Sequence, residues 1–428
     1  HHSLADVEYS SEHENYTKVR AEMLIENWNS GIVITTFVQL LETLVGNKNR
    51  MLKKFNALNK SIIILDEVQA IDIKYLKLVE FILAAASKYL DCRIIMMTAT
   101  KPLILSDAAE LLSDNKKYFN MFNRTSIIPR LEPIKIENFI EEFYDNMEDK
   151  AYLIICNTIA QSLKIYKELK NSGRKVLYLS TNILPCHRKK RIDEVTKMLE
   201  NNEKIILVST QVVEAGVDFD FDVVIRDIAP IDSIIQAAGR CNRNGKKKGG
   251  NVFVYSMIDN SGSYYGTRVY GHTLIDISKS LLSDKKCIEE REYFDLIGKY
   301  FIEVDKNKSQ EVSEKFKESI IKMYFSDKDY SIDKFSLINE NDNYVDVFFR
   351  INDEAEEVYN KLLKALSIKV LEIKNKVREY TLSIPLKYVD RVNDKNDIIL
   401  NLPKSACEVY YDDMTGYKRE EEEDFFVM

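Results

Sequence analysis

Short apolar runs that end in small polar or acidic residues recur along the chain up to Asp259, and a helical pattern follows each run. Continuous apolar strands that alternate with helices are typical of parallel sheets covered on both faces. The pattern therefore predicts an α/β fold. The predicted strands are "IVITT" (32–36), "IIILDE" (62–67), "IIMMTAT" (94–100), "YLIICNT" (152–158), "VLYLST" (176–181), "IILVST" (205–210), "VVIRD" (223–227) and "VFVY" (252–255).

The runs fall into two sets, separated by "FNRTSIIPRLEPIKIENF" (122–139). This segment contains Pro129 and Pro133, and we expect it to link two α/β domains. Beyond Asp259 the alternation stops, and residues 271–325 and 353–380 have helical spacing. The predicted organisation is a first parallel-sheet domain over 1–128, a second over 129–262, a helical linker region over 263–329 and an accessory domain over 330–428, with the acidic end "KREEEEDFFVM" peripheral.

Composition narrows the class of protein. The net charge is −7 with a pI near 5.6, which argues against coating nucleic acid by bulk electrostatics but allows a local basic groove. Two basic clusters, "HRKKR" (187–191) and "RNGKKK" (243–248), are candidates for such a groove or for ordinary solvated surface. The six cysteines are scattered without a C-x-x-C pair, and no apolar stretch has the length of a membrane span or of a secretory leader. We therefore expect no membrane association and a reducing, cytoplasmic compartment.

The acids of "LDEVQA" are the first candidate for chemistry, because they follow an apolar strand at the edge where α/β folds bind ligands. Asp66 could hold Mg²⁺ through its waters, and Glu67 could orient and deprotonate an attacking water. Thr98 and Thr100 of "MTAT" could bond to these acids. The alternative is a pair of solvated acids in an ordinary loop.

Two later segments are more specific. In "STQVVEAGVDFDFDVVI" (209–225), Gly216 allows close backbone approach to a ligand, and Asp218 could bond to a ribose or an arginine. In "QAAGRCNR", the helical spacing of Gln236, Arg240 and Arg243 predicts one side of one helix, with two arginines suited to a γ-phosphate. The alternatives are a plain βα turn and a solvated basic helix.

In this order, "DEVQ", "TAT", "STQVVEAGVDFDFD" and "QAAGRCNR" resemble motifs II, III, V and VI of DEAD/DEAH-like helicases of the second superfamily. More narrowly, they resemble the helicase portion of the CRISPR-associated helicase-nuclease of type I systems. Further matches to that family are "TTFVQ" (35–39), "NT" (157–158), "LST" (179–181) followed by "HR" (187–188), and "YYDDMTGY" (410–417) of a closing accessory domain.

The resemblance implies two RecA-like domains, the first incomplete, that bind ATP and Mg²⁺ between them and move along single-stranded DNA from 3′ to 5′. It also implies recruitment by the RNA-guided CRISPR surveillance complex, and we expect a monomer. The implied catalytic residues are Glu67, Gln236, Arg240 and Arg243, and the implied nucleotide and magnesium ligands are Asp66, Gly216 and Asp218. Residues implied to face the DNA are Thr35, Thr36, Thr158, Ser180, Thr181, Arg188 and Thr210, and those implied to couple the two ligands are Gln69, Thr98 and Thr100.

The sequence departs from the family pattern at three places. Ala237 stands where many helicases carry an arginine, Gln69 replaces the histidine of DEAH boxes, and G-x-x-x-x-G-K-[ST] is absent from the 428 residues. We therefore expect that the phosphate-binding loop and the nuclease domain precede His1, that this chain alone hydrolyses ATP poorly, and that its first domain exposes sheet edge and core. Two alternatives stay open: a non-catalytic module that binds DNA or the surveillance complex, and an RNA helicase of the same superfamily.

Overall fold

A computed structural model gives the structure of the chain. The residues it describes are 10–11, 14–15, 24, 26–68, 71–98, 104–105, 107–112, 117, 120–214, 216–247, 249–307, 310–326, 329–337, 343–364, 367–392 and 399–419. Contacts divide the chain into two compact units. Unit one comprises His1–Glu110, Asp305–Glu379 and Pro385–Leu400, and unit two comprises Leu111–Val304, Tyr380–Ile384 and Asn401–Met428. The predicted domain boundaries stay a prediction.

The strands are β1 Ser10–Ser11, β2 Glu14–Asn15, β3 Ile62–Asp66, β4 Arg93–Met97, β5 Thr125–Lys135, β6 Tyr152–Ile155, β7 Val176–Leu179, β8 Ile206–Ser209, β9 Val223–Asp227, β10 Gly250–Ile258, β11 Ile288–Glu289, β12 Tyr344–Phe349, β13 Thr381–Pro385, β14 Asn401–Leu402, β15 Tyr411–Asp412 and β16 Gly416–Tyr417. The helices are α1 Phe37–Val45, α2 Asn49–Phe55, α3 Leu76–Leu90, α4 Ile136–Asn146, α5 Ile159–Leu169, α6 Pro185–Glu200, α7 Ile231–Ala238, α8 Tyr265–Ser283, α9 Tyr293–Asn307, α10 Glu311–Ile321, α11 Asp353–Lys364, α12 Ser367–Glu379 and α13 Lys404–Tyr410. Among the described residues, no helix combines the length and the apolar character needed to cross a bilayer.

Unit one is built around β3 and β4, which pair in parallel, and α3, which joins them. Alternate residues of β3 point to opposite faces, so Ile63 and Leu65 are buried while Ile62 and Ile64 are 64% and 59% exposed. The continuous apolar run of β3 predicted that both of its faces are covered. Within the described residues this prediction is wrong. The exposed face agrees with the expectation that the first domain leaves part of its core uncovered.

The predicted strand at 32–36 is also absent, because these residues are described without strand pairing. Ile32 and Ile34 are 87% and 76% exposed. A strand requires a neighbour to accept its main-chain hydrogen bonds, and β-branched composition alone does not supply one. Thr36 keeps an extended backbone and caps α1 instead, accepting a hydrogen bond of 3.3 Å from the Gln39 amide.

Unit two contains a seven-stranded sheet in the order β11-β5-β10-β9-β6-β8-β7. The pairs from β5 to β7 are parallel, and the short β11 is antiparallel to β5. Strands β6, β7, β8 and β9 are buried along their whole length, as expected for a parallel sheet with helices on both faces. The α/β class with parallel sheets, predicted from the apolar runs, is confirmed.

The segment predicted to link the two domains is instead strand β5, and this prediction is wrong. Pro129 pairs with Val254 and Pro133 with Ser256 of β10, where the register shifts. The prolines are tolerated because β11 pairs only with Ser126 and Ile127. Beyond that point the other side of β5 has no described partner strand, so the missing N–H groups cost no ladder bond there.

Candidate functional site

The two acids of the first candidate motif lie at the carboxyl end of β3. Asp66 is in register with Met97 of β4, so Thr98 leaves the neighbouring strand at the same edge. Asp66 and Glu67 are exposed, and the Asp66 carboxylate accepts a hydrogen bond of 3.0 Å from the Glu67 amide. Glu67 has a φ of 54°, in the left-handed region that costs about 1–2 kcal/mol for a side chain other than glycine. Strain of this kind at a ligand edge is a pointer to function.

The carboxyl end of β3 offers a single carboxylate for magnesium, without an enclosing cluster of ligands among the described residues. Among the described residues, no group of three or more histidine, cysteine or carboxylate side chains gathers to enclose a metal. Mg²⁺ keeps several waters and is held in phosphate-handling sites through one or two carboxylates. An exposed carboxylate at a strand end, with one oxygen fixed by the Glu67 amide, is such a donor. Asp66 therefore fits a water-mediated magnesium ligand.

The other residues of unit one that were predicted to bind or couple ligands are either outside the described residues or near the start of α1. Gln69 and Thr100 lie outside the described residues. Thr36 caps α1, and the Oγ1 of its neighbour Thr35 is buried without a hydrogen-bond partner among the described residues. A buried hydroxyl without a partner is costly, so this atom is available to a ligand that reaches it.

Unit two brings four predicted nucleic-acid residues to one edge of its sheet. Ile155, Leu179 and Ser209 end adjacent parallel strands in register. The residues that follow are Thr158, Ser180 with Thr181, and Thr210. The Cys156 amide donates to the Ser209 carbonyl at 2.8 Å and the Thr210 amide to the Leu179 carbonyl at 3.2 Å, which fixes the three strand ends to one another.

Beneath this edge lies a buried polar network that the sequence analysis did not identify. Asp227, at the end of β9, is completely buried and accepts hydrogen bonds from the side chains of Asn157 at 2.7 Å and Gln161 at 2.9 Å. Its second oxygen accepts from the amides of Ile228 at 2.9 Å and Met257 at 3.0 Å. The network holds Asn157, and with it the neighbouring Thr158, at the carboxyl edge of the sheet.

Arg226 extends this network toward the motif V segment. Its guanidinium is completely buried, donates to the Asn157 side chain at 2.6 Å and forms an ion pair of 3.0 Å with Glu214. Although burial works against the charge, Glu214, Tyr270 and Asp227 together raise the pKa of Arg226. Glu214 in turn accepts from the Ser233 hydroxyl at 2.8 Å. The sequence did carry a signal, since an arginine within the apolar strand "VVIRD" requires a buried partner.

The two arginines of "QAAGRCNR" do not share a helix, so that geometric prediction is wrong. Helix α7 ends at Ala238, Gly239 is its C-cap, and Asn242 has a positive φ of 45°. Arg240 is buried, and its guanidinium donates to the carbonyls of Val213 at 2.8 Å and Glu214 at 2.5 Å. Arg240 therefore joins the motif VI loop to the motif V segment, a contact that helical spacing could not show.

The remaining residues of these motifs lie near the surface. Arg243 forms an ion pair with Asp218, whose side chain is 82% exposed. Gly216 has a φ of 74°, and a Cβ there would meet no atom within 4 Å, so backbone conformation rather than space favours glycine. Gln236 is partly buried on α7. The catalytic roles of Gln236, Arg240 and Arg243 stay predictions.

Arg188 lies in the first turns of α6, which follows the loop of Ser180 and Thr181. Within the part of the chain that the structure describes, its guanidinium takes part in no hydrogen bond or ion pair. Burial lowers the pKa of Arg188, since the charge is partly withdrawn from water. A partly buried cation without a counter-charge is a suitable contact for a phosphate.

Comparisons with known proteins agree on one family. Residues 148–246 match the model for the C-terminal region of the CRISPR-associated nuclease/helicase Cas3. The CRISPR-associated nuclease/helicase Cas3 of Haloferax volcanii is 29% identical over an alignment that covers 60% of this chain and 39% of that protein. The same protein of Methanothermobacter thermautotrophicus is 26% identical, with 51% of this chain and 28% of that protein covered. The chain thus spans well under half of these relatives.

Solved structures show the same fold. The crystal structure of T. fusca Cas3 has a TM-score of 0.62 at 16% identity and covers 86% of this chain and 54% of that one. A chain of a CRISPR RNA-guided surveillance complex in a pre-nicking state has a TM-score of 0.60 at 14% identity and covers 89% of this chain. The resemblance found in the motifs is confirmed: in sequence and in fold, the chain is similar to the helicase portion of the CRISPR-associated nuclease/helicase Cas3 family.

Proposed function

We propose that the chain is part of an ATP-dependent single-stranded-DNA translocase that acts in CRISPR interference after recruitment by an RNA-guided surveillance complex. The observation that carries the proposal is the shared carboxyl edge of the second sheet, where the segments of Thr158, Ser180, Thr181 and Thr210 follow strands that end in register. Thr181 is partly exposed there, and the other three side chains are buried. Hydroxyl and main-chain groups contact phosphates without reading bases, which suits a motor that moves along any sequence.

The hydrolytic chemistry is assigned to the acids of unit one and the arginines of unit two. Glu67 would orient the attacking water and accept its proton, and Asp66 would hold Mg²⁺ through coordinated water. Bound ATP with Mg²⁺ supplies the phosphoryl group whose transfer drives movement. Arg243 would contribute positive charge near the transferred phosphate by exchanging its ion pair with Asp218.

Binding of a labelled single strand to this chain tests the proposal directly. Thr181→Val keeps the shape of the side chain and removes its hydroxyl, so we expect weaker binding of oligo-dT by about threefold to tenfold. Thr196→Val is the matched control, because the Thr196 hydroxyl bonds only to the Ile192 carbonyl within α6 among the described residues.

Fluorescence anisotropy with oligo-dT and oligo-U of equal length separates the candidate functions. Tighter binding of DNA than of RNA, weakened by salt, is the expected result. Tighter binding of RNA would favour the RNA-helicase alternative. Absence of any binding to single strands would overturn the proposal. In the complete protein, DNA affinity that does not change with ATP would favour the non-catalytic module.

A further inference from the structure

A hairpin near the end of the chain, β15 and β16 with their turn (residues 411–417), packs against the loop that carries Ser180 and Thr181. The contact centres on Asn182, which is 1% exposed. The Tyr417 amide donates to the Asn182 carbonyl at 3.0 Å, and the Asn182 side-chain amide donates to the carbonyls of Tyr417 at 2.6 Å and Thr415 at 3.1 Å. Arg419 completes the set by donating to the Asn182 side-chain oxygen at 3.0 Å. The loop's buried polar groups are thus satisfied largely by residues more than two hundred positions away in the sequence.

A second contact fixes the start of α6. The hydroxyl of Tyr411, a buried residue, accepts a hydrogen bond of 3.1 Å from the Leu184 amide and lies 3.0 Å from Nδ1 of His187. Burial lowers the pKa of His187 and raises the pKa of Tyr411. At neutral pH the unprotonated Nδ1 of a neutral imidazole can therefore accept a hydrogen bond from the Tyr411 hydroxyl, while the hydroxyl oxygen accepts one from the Leu184 amide. The N-cap position Leu184 has no side-chain cap, so Tyr411 supplies a bond that the helix end otherwise lacks.

Gly416 makes the close approach possible. Its φ is 86°, and a Cβ at this position would lie 2.0 Å from the Asn182 carbonyl oxygen, which is far inside contact distance. Any larger residue would force the hairpin away from the loop. Gly262 has a similar φ of 83°, but a Cβ there meets nothing within 4 Å, so it provides a matched control for backbone strain alone.

The contact between the hairpin and the loop also adds positive charge beside the basic cluster 187–191. It places Arg419 at the loop that leads into the basic cluster 187–191, where the guanidinium of Arg188 has no hydrogen bond or ion pair in the described part of the chain. Among the described residues, the acids that pair with this cluster are Asp413, 3.5 Å from His187, and Glu194, which pairs with Arg191. In the described part of the chain, neither acid forms a hydrogen bond or ion pair with Arg188, so the charge of Arg188 is available to a phosphate.

From this arrangement we infer that the hairpin 411–417 is a positioning element of the nucleic-acid site. Tyr411 holds the start of α6 with Arg188, and Gly416 holds the Ser180–Thr181 loop, in the conformation that binds phosphates. The inference rests on the proposed function and deepens it. It assigns the hairpin 411–417 a role in DNA binding, and both the hairpin and the loop that it contacts belong to unit two. Tyr411 and Gly416 act through Arg188 and the loop, and the phosphate contact belongs to those residues.

A double-mutant cycle tests the inference by anisotropy of labelled oligo-dT of about 20 nucleotides with the full chain. Gly416→Ala and Tyr411→Phe should each weaken binding by about threefold to tenfold, and Gly262→Ala should not. Arg188→Gln should weaken binding by a similar factor and reduce the salt slope by about 0.7. If Tyr411 acts through Arg188, adding Tyr411→Phe to Arg188→Gln should cause little further loss of affinity, whereas a merely structural effect would multiply the two losses.

The outcomes distinguish the inference from the function on which it rests. If the unaltered chain does not bind single strands, the proposed function fails and the inference with it. If the unaltered chain binds, and the losses multiply or the hairpin variants bind as tightly as Gly262→Ala, the inference alone is overturned. Tyr411→Phe retains its ring packing against His187, 5.7 Å between centroids, so it keeps the test decisive where Gly416→Ala lowers stability.

Discussion

Asp227→Asn is the most informative perturbation of the network beneath the candidate site. The carboxylate accepts four hydrogen bonds, from the side chains of Asn157 and Gln161 and from the amides of Ile228 and Met257. An amide offers one acceptor oxygen and one NH₂ group, so two of the four donors must face another donor. Asn157 cannot compensate by flipping its amide, because its oxygen already accepts from Arg226 at 2.6 Å and its nitrogen also donates to the Ile228 carbonyl at 2.8 Å.

The expected cost follows from these contacts. Each buried donor left without an acceptor costs about 1–3 kcal/mol, so the variant should lose about 2–6 kcal/mol in its free energy of unfolding. For a slope of about 3 kcal/mol per molar urea, the midpoint should fall by about 0.7–2 M. Burial raises the pKa of Asp227 to about 6, so the comparison is made near pH 8, where the carboxylate is charged.

Urea unfolding followed by circular dichroism measures the loss. The matched control is Asp149→Asn, the same chemical change at a side chain that is 90% exposed, which should alter stability by less than about 0.5 kcal/mol. If Asp227→Asn behaves like this control, the four donors do not depend on the carboxylate and our description of the network is wrong. If it unfolds early as expected, the edge that carries Thr158 is held by this buried acid.

Two further predictions follow from strained and titrating groups. Glu67→Gly should raise the free energy of unfolding by up to about 1 kcal/mol, because glycine adopts a φ of 54° without strain. A clear decrease in melting temperature would mean instead that the Glu67 side chain stabilises the fold. The pKa of His187 is lowered by burial, so the stability that its neutral form provides is complete above its usual pKa near 6.5 and is lost as the pH falls through the lowered value. Melting temperature should therefore drop more between about pH 8 and pH 5 for the unaltered chain than for His187→Gln, and equal drops would contradict this reasoning.

Strands β6 to β9 of unit two could be predicted because strands that are buried on both faces are apolar at nearly every position. Runs such as "YLII" and "VLYL" are apolar at every position, and they are strands β6 and β7. Strand β5 was missed because Pro129 and Pro133 normally break a ladder, and only the short reach of β11 makes them tolerable here. The run "IVITT" failed for the opposite reason, since its residues favour a strand but have no described partner to pair with.

Site residues that directly follow a strand could be predicted from the sequence. Contacts between residues that are distant in the sequence could not. Asp66 and Glu67 lie where the sequence placed them, at the carboxyl end of β3. Helix α7 ends at Ala238 with Gly239 as its C-cap, which the sequence could have indicated, but the contacts of Arg240 with the carbonyls of Val213 and Glu214 depend on distant residues. Likewise, nothing near Asn182 in the sequence indicates that residues 415–419 will satisfy its hydrogen bonds.

We propose that Glu67 is the hydrolytic base of a DNA-stimulated ATPase, and the G-x-x-x-x-G-K-[ST] motif of a phosphate-binding loop is absent from these 428 residues. The most direct measurement is ATP hydrolysis with and without single-stranded DNA, by this chain and by Glu67→Gln, each alone and mixed with the loop-bearing first-domain segment of a Cas3 relative. We expect very low turnover by the chain alone, and DNA-stimulated turnover in the mixture that is abolished by Glu67→Gln. DNA-stimulated turnover that persists in the Glu67→Gln mixture would contradict this proposal.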